Sequence, residues 1–130
     1  MNPAPPEKRR GWVRKFADAF FGIGRGMRGQ NSFLVHLPCA VAVLVLAALL
    51  PDISRGDWCL LILCISVVIA AELFNSAIEH LVAVVHPERH PDVGAALDIA
   101  SAAVLICSWG AAVVGLIVLG PPLWRWVMSY

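Results

Sequence analysis

Apolar residues fall along this chain in three long blocks, at 33–50, 58–85 and 93–119. Each is continuous enough to predict a helix that crosses a bilayer. The shortest spans about 27 Å at ~1.5 Å per residue, close to the thickness of a hydrocarbon core. The segment before them is patterned differently. Over 8–29, Arg9, Arg10, Arg14 and Lys15 alternate with Trp12, Val13, Phe16, Phe20 and Phe21. Apolar positions 12, 13, 16 and 20 recur at helical spacing, which predicts an amphipathic helix lying on the membrane, its basic face toward anionic head groups. Residues 1–7 form a proline-containing lead, expected to be disordered.

Polar punctuation separates the blocks. Pro51 to Asp57 is a short turn, and Trp58 marks an interface. His86 to Pro91 carries two prolines and mixed charge, so a continuous helix is excluded there. Gly120-Pro121-Pro122 is expected to end the third span, with Trp124, Trp126 and Tyr130 as an aromatic anchor. Small-residue pairs, Ala100/Ser101 and Gly110/Ala111, suit close helix contacts. Gly24 to Gly29 spells GxGxxG, but no strand precedes it, which excludes a dinucleotide-binding βαβ unit. Those glycines predict a bend or close packing where the surface helix turns into the membrane, or alternatively a backbone contact to phosphate.

One stretch breaks the apolar pattern from inside. Ala71 to His80 continues the second block yet holds Glu72, Asn75 and Glu79. Residues seven apart lie at nearly the same helical angle, and Asn75 falls between them on that face. At ~1.5 Å per residue Glu72 lies about 21 Å, and Glu79 about 31 Å, beyond Trp58. The pair is thus placed at the end of the span rather than its middle.

Composition supports the membrane reading. The chain has 130 residues, 59% hydrophobic and 15% charged, with mean hydropathy +0.76. Its formal net charge is only +1, but seven of ten Lys/Arg precede residue 29. That asymmetry keeps the N-terminus in the cytoplasm. No aromatic-interleaved platform accompanies those charges, so no nucleic-acid partner is expected. No secretory signal is read either, because no small-residue cleavage site follows the first apolar block. Cys39, Cys59, Cys64 and Cys107 lack paired metal-ligand spacing and are expected as small buried hydrophobes.

With this topology Glu72, Asn75, Glu79, Glu88, His90 and Asp98 gather at the cytoplasmic face, and Gln30 reaches the same level. Clustered carboxylates repel unless a cation or proton intervenes. A hard divalent ion held by one or two carboxylates and by substrate phosphates fits. Glu72, the deeper, is suited to take a proton from a lipid hydroxyl. Together these describe phosphoryl transfer to a membrane alcohol. The competing reading has Glu72, Asn75 and Glu79 pair with neighbouring helices and hold an oligomer together. Asp98 can equally be a helix-start carboxylate favoured by the macrodipole, and His86 and His90 solvated loop residues. His36 and His80 are expected at the interface without a chemical role. A cation-coupled transporter accounts for the carboxylates but lacks inverted repeats.

The run Ala71 to Glu79, with its Glu-x-x-Asn-x-x-x-Glu spacing, resembles the signature of the prokaryotic membrane diacylglycerol kinase family, which includes undecaprenol kinases. The stretches Ala19–Phe33, Glu88–His90 and Asp98–Leu105 resemble its N-terminal stretch, its cytoplasmic loop and the start of its third membrane helix. The resemblance implies an all-α integral membrane protein with one surface helix and three transmembrane helices. It implies a homotrimer with active sites between subunits, in the bacterial inner membrane, the N-terminus and active site being cytoplasmic. By motif position Glu72 would be the catalytic base, with Glu79 and Gln30 at Mg²⁺. Asn75, Glu88, His90 and Asp98 would surround ATP, and Ser101 would lie near the lipid. The implied reaction converts 1,2-diacylglycerol to phosphatidic acid. The alternatives are undecaprenol phosphorylation or a non-catalytic scaffold of the same fold. Gln30 stands where the family usually has a metal-binding Glu, and Leu97 where it usually has Lys.

Overall fold

A computed structural model describes residues 11–28, 30–85 and 90–129. They form four helices and, among the described residues, no strand: α1 (Trp12–Met27), α2 (Phe33–Leu49), α3 (Arg55–Val85) and α4 (Pro91–Met128).

α2, α3 and α4 pack antiparallel in sequence. Ser32 at the start of α2 meets Glu72 near the end of α3, while Ala47 at its other end clusters with Leu61. Asn75 meets Ser101, and Leu61 meets Leu119. α3 is therefore the central element, touching all three other helices. The two ends of the bundle differ in chemistry. One end is an apolar cluster of Ala47, Leu50, Leu61 and Leu119, with Trp58 and Leu123 packed on it. The other buries Glu72, Asn75 and Ser76.

Few large apolar side chains are enclosed. Leu60, Leu63, Leu105, Ile106, Trp109, Leu116 and Ile117 all point outward from α3 and α4. Exposed apolar surface on this scale is not found on soluble monomers. α3 and α4 are each long and apolar enough to cross a membrane, at about 46 and 57 Å by rise per residue. α2, with 17 residues, is apolar and shorter. The same all-round hydrophobicity explains the cysteines. Cys39 and Cys59 face outward and Cys64 and Cys107 are half-buried, against the expectation of burial. Apolar periodicity cannot separate a lipid-facing side from an inward-facing one.

The third block ends later than expected. α4 continues through Pro121 and Pro122 to Met128. Two prolines free the carbonyls of Ile117 and Val118, four residues back. Leu119 and Pro122 are buried, and Leu123 packs on the apolar cluster. This packing holds the helix across the gap, as helix–helix contacts do for prolines in membrane helices. Trp124 and Trp126 are thus helical.

α1 has no buried residue. Trp12, Phe16, Phe20 and Phe21 stay exposed, with the Lys15 ammonium 4.9 Å from the centre of the Trp12 ring. Gly22, Gly24 and Gly26 all lie within helix α1, and Gly29 lies outside the described residues. Close packing occurs at Gly26, where an added Cβ would stand 2.9 Å from Leu73 Cδ2. The α2–α3 turn passes through Asp52 at φ 65°. Ser54 then starts α3: its Oγ accepts from Asp57 N–H at 3.1 Å, and Asp57 Oδ2 accepts from the Ser54 backbone N–H at 2.9 Å and from its hydroxyl at 2.7 Å. This is a reciprocal cap of the Ser-x-x-acid type.

Candidate active site

The polar face read from the 71–80 stretch is turned inward. Glu72 is 1% exposed and Asn75 7%. A carboxylate so deep needs donors on both oxygens, and α2 supplies them. Ser32 Oγ donates to Glu72 Oε2 at 2.7 Å. His36 Nε2 lies 3.0 Å from Glu72 Oε1. Ser32 occupies the N-cap position of α2 yet makes no capping bond, because its hydroxyl is spent on Glu72.

Glu79 is satisfied from two directions. Gln30 Nε2, in the linker before α2, donates to Oε2. Asn75 Nδ2, one turn earlier on α3, donates to Oε1 at 2.8 Å. Asn75 Oδ1 in turn accepts from Ser101 Oγ of α4 at 3.5 Å. The chain of contacts Gln30–Glu79–Asn75–Ser101 ties three segments of the chain at one level.

These groups line an open cleft of about 490 Å³ between α2, α3 and α4. Its polar wall includes Gln30, Ser32, His36, Glu72, Asn75 and Glu79. Its other wall is Ser101, Val104, Leu105 and Ser108 of α4. Acid, amide and hydroxyl groups therefore open directly onto apolar side chains. Such a cleft can receive a molecule with a polar end and a greasy body.

Of the residues singled out from the sequence, the cleft gathers Gln30, Glu72, Asn75, Glu79 and Ser101. Asp98 is exposed on α4 outside it. It nevertheless lies on the stripe of Ser101, Leu105 and Ser108, one turn nearer the helix start. His90 occupies the N-cap of α4, its Nδ1 accepting from Asp92 N–H at 3.3 Å. Glu88 lies outside the described residues. Arg25 lines a separate groove between α1 and α3, with Leu73 and His80.

Two contributors were not legible as site residues, and a third polar residue, Ser76, is buried beside them in the α1–α3 groove. Ser32 and His36 stand four apart, so both face α3 from one side of α2; a polar pair at that spacing inside an apolar block was the available signal. Ser76 is fully buried and its hydroxyl has no partner among the described residues. It sits beneath Gly26 of α1.

Comparison with known proteins identifies the family. A family model described as prokaryotic diacylglycerol kinase matches residues 17–119. The chain is 32% identical over 115 residues to a protein named undecaprenol kinase from Bacillus subtilis, covering 85% of this chain and 93% of that protein. It is 31% identical over 124 residues to a protein named diacylglycerol kinase from Pseudomonas aeruginosa, covering 88% of this chain and all of that one. The match takes in α2, α3, the start and middle of α4, and every cleft residue. The chain therefore belongs to the prokaryotic diacylglycerol kinase family, and its enzyme class is lipid kinase.

Proposed function

We propose that this protein transfers the terminal phosphoryl group of ATP to the hydroxyl of a membrane lipid, with 1,2-diacylglycerol as acceptor and phosphatidic acid as product. The observation that carries this reading is the buried Glu72 carboxylate, held by Ser32 and His36 in a cleft that runs from Glu79 to an apolar wall.

Glu72 is the base. As the lipid oxygen attacks phosphorus, its O–H bond breaks and the proton passes to a Glu72 oxygen. The new O–P bond forms while the bond to the departing ADP oxygen breaks with its electron pair. Ser101, with Val104 and Leu105 beyond it, borders the lipid. Asn75, Glu88, His90 and Asp98 surround the nucleotide. The outward position of Asp98 suits a site completed by another subunit of a homotrimer.

Glu79 and Gln30 offer only hard oxygen donors, one carboxylate and one amide carbonyl. That set suits Mg²⁺, which takes few protein ligands and completes its shell with phosphate and water. Among the described residues no three His, Cys, Asp or Glu converge, so the nucleotide's phosphates would supply much of the ligation. Gln30 would have to turn its amide, since Nε2 now faces Glu79. The ion, when bound, neutralises charge on the phosphate oxygens.

α2, α3 and α4 all cross the bilayer in this reading, and α1 lies on the inner-membrane surface. The basic N-terminal segment supports a cytoplasmic N-terminus and a cleft that opens on the cytoplasmic side. A polyprenol acceptor is the second reading, favoured by the 32% identity to a protein named undecaprenol kinase. The test supplies purified protein in mixed micelles with labelled ATP, Mg²⁺ and a panel of lipid alcohols. Label in phosphatidic acid supports the first reading and label in the polyprenyl phosphate the second. No labelled lipid from folded protein would leave a scaffold of the same fold.

A further inference from the structure

His36 is an ionisable residue one turn into an otherwise apolar helix. Its side chain is 23% exposed and lines the cleft, whereas that of Glu72 is 2% exposed. An ionised carboxylate only accepts hydrogen bonds, so His36 Nε2 must carry the hydrogen across the 3.0 Å to Glu72 Oε1. Ser32 Oγ approaches the other oxygen. Two donors four residues apart on α2 therefore fix both the plane and the rotation of the Glu72 carboxyl group. The helices are also packed at the opposite end, by the apolar cluster of Ala47, Leu50, Leu61 and Leu119.

We propose that His36 is a positioning residue for the base. Its imidazole N–H holds the buried Glu72 carboxylate turned so that a free lone pair faces the lipid hydroxyl. This inference rests on the lipid-kinase reading of Glu72. Groups that orient a reacting ligand from behind typically matter by about 10–100-fold in activity. Because His36 acts on the base and not on either substrate's resting contacts, its loss falls on kcat and leaves KM alone.

The experiment compares the full-length wild type, His36→Leu and His36→Gln in mixed micelles with diacylglycerol, ATP and Mg²⁺. Undecaprenol replaces diacylglycerol if that is the lipid the wild type labels. The expected result for His36→Leu is a fall in kcat of about 10–100-fold, with KM for both substrates within about twofold. His36→Gln, whose Nε2 amide can donate from nearly the same point, recovers most of the rate. A second readout needs no turnover: the imidazole ¹⁵N resonances of His36 should show Nε2 protonated and should move in Glu72→Gln. Wild-type rate in His36→Leu, or a loss confined to KM, overturns the positioning role while the kinase reading stands. Imidazole resonances unchanged by Glu72→Gln overturn it as well, even if His36→Leu does not fold. A wild type that labels no lipid defeats the kinase reading, and the role of His36 with it.

Discussion

Gln30 donates its side-chain amide to Glu79 across 49 positions of sequence, from the linker before α2 to the C-terminal part of α3. A neutral amide thus answers a carboxylate at the point where two carboxylates would otherwise face each other. Gln30→Glu would restore that second charge. Like charges in contact disfavour joint ionisation unless a cation intervenes. The Mg²⁺ concentration for half-maximal activity should fall by about tenfold, some 1.4 kcal/mol. Thermal unfolding without Mg²⁺ should occur at lower temperature than in the wild type. An unchanged metal titration would remove Gln30 from the metal site.

Gly26 and Gly24 lie two residues apart on α1 and should respond oppositely. Nothing lies within 4 Å of a Cβ added at Gly24. Gly24→Ala should stabilise by about 0.5–1 kcal/mol through the smaller entropy lost on helix formation. At Gly26 the added Cβ meets Leu73 Cδ2 at 2.9 Å. A methyl group there can be absorbed by rotating Leu73, but Gly26→Ile cannot, and overpacking of about 1–3 kcal/mol should loosen α1 from α3. Limited proteolysis of α1 in detergent, alongside thermal unfolding, reads both effects. Equal behaviour of Gly24→Ile and Gly26→Ile would deny the contact.

Asp57 lies in the first turn of α3, just before the apolar block that begins at Trp58. The Ser54 hydroxyl, followed by the Ser54 backbone N–H, holds the Asp57 carboxyl below its ordinary value of 3.8. A group whose folded value is depressed contributes stability that is full above the unfolded value and is lost as pH falls through the folded one. The cap therefore acts fully at neutral pH and fades only below about pH 4. Ser54→Ala should raise the Asp57 midpoint toward 3.8, followed by carboxyl ¹³C titration. It should narrow the gap in thermal stability between neutral and acid solution. No movement of that midpoint would show the cap to be idle.

The face of α3 was legible because Glu72, Asn75 and Glu79 interrupt an apolar block at helical spacing, and the repeat fixes their common direction. The level of Gln30 was legible too, since block lengths alone place it opposite the end of α3. Ser32 and His36 were not. Their role depends on how α2 is rotated against α3, and in a helix apolar on all sides no stripe records that rotation. The same lack hid the outward facing of Cys39 and Cys59. The end of α4 was misjudged because Pro121-Pro122 is a local stop signal, overridden by burial of Leu119 and Pro122 against the apolar cluster. Asp98 shares a stripe with Ser101 but reaches no group of the cleft, which rise and spacing within one helix could not reveal.

Everything proposed for the cleft depends on Glu72 acting as a base. The most direct measurement is phosphoryl transfer from labelled ATP to lipid by Glu72→Gln, which keeps the size of the side chain, exchanges one acceptor oxygen for an amide donor and removes the charge. General-base catalysis is worth about 10²–10⁴-fold. The account predicts a fall in kcat of that order, with the protein still folded by circular dichroism and size exclusion. A folded Glu72→Gln protein that labels lipid at the wild-type rate would contradict it.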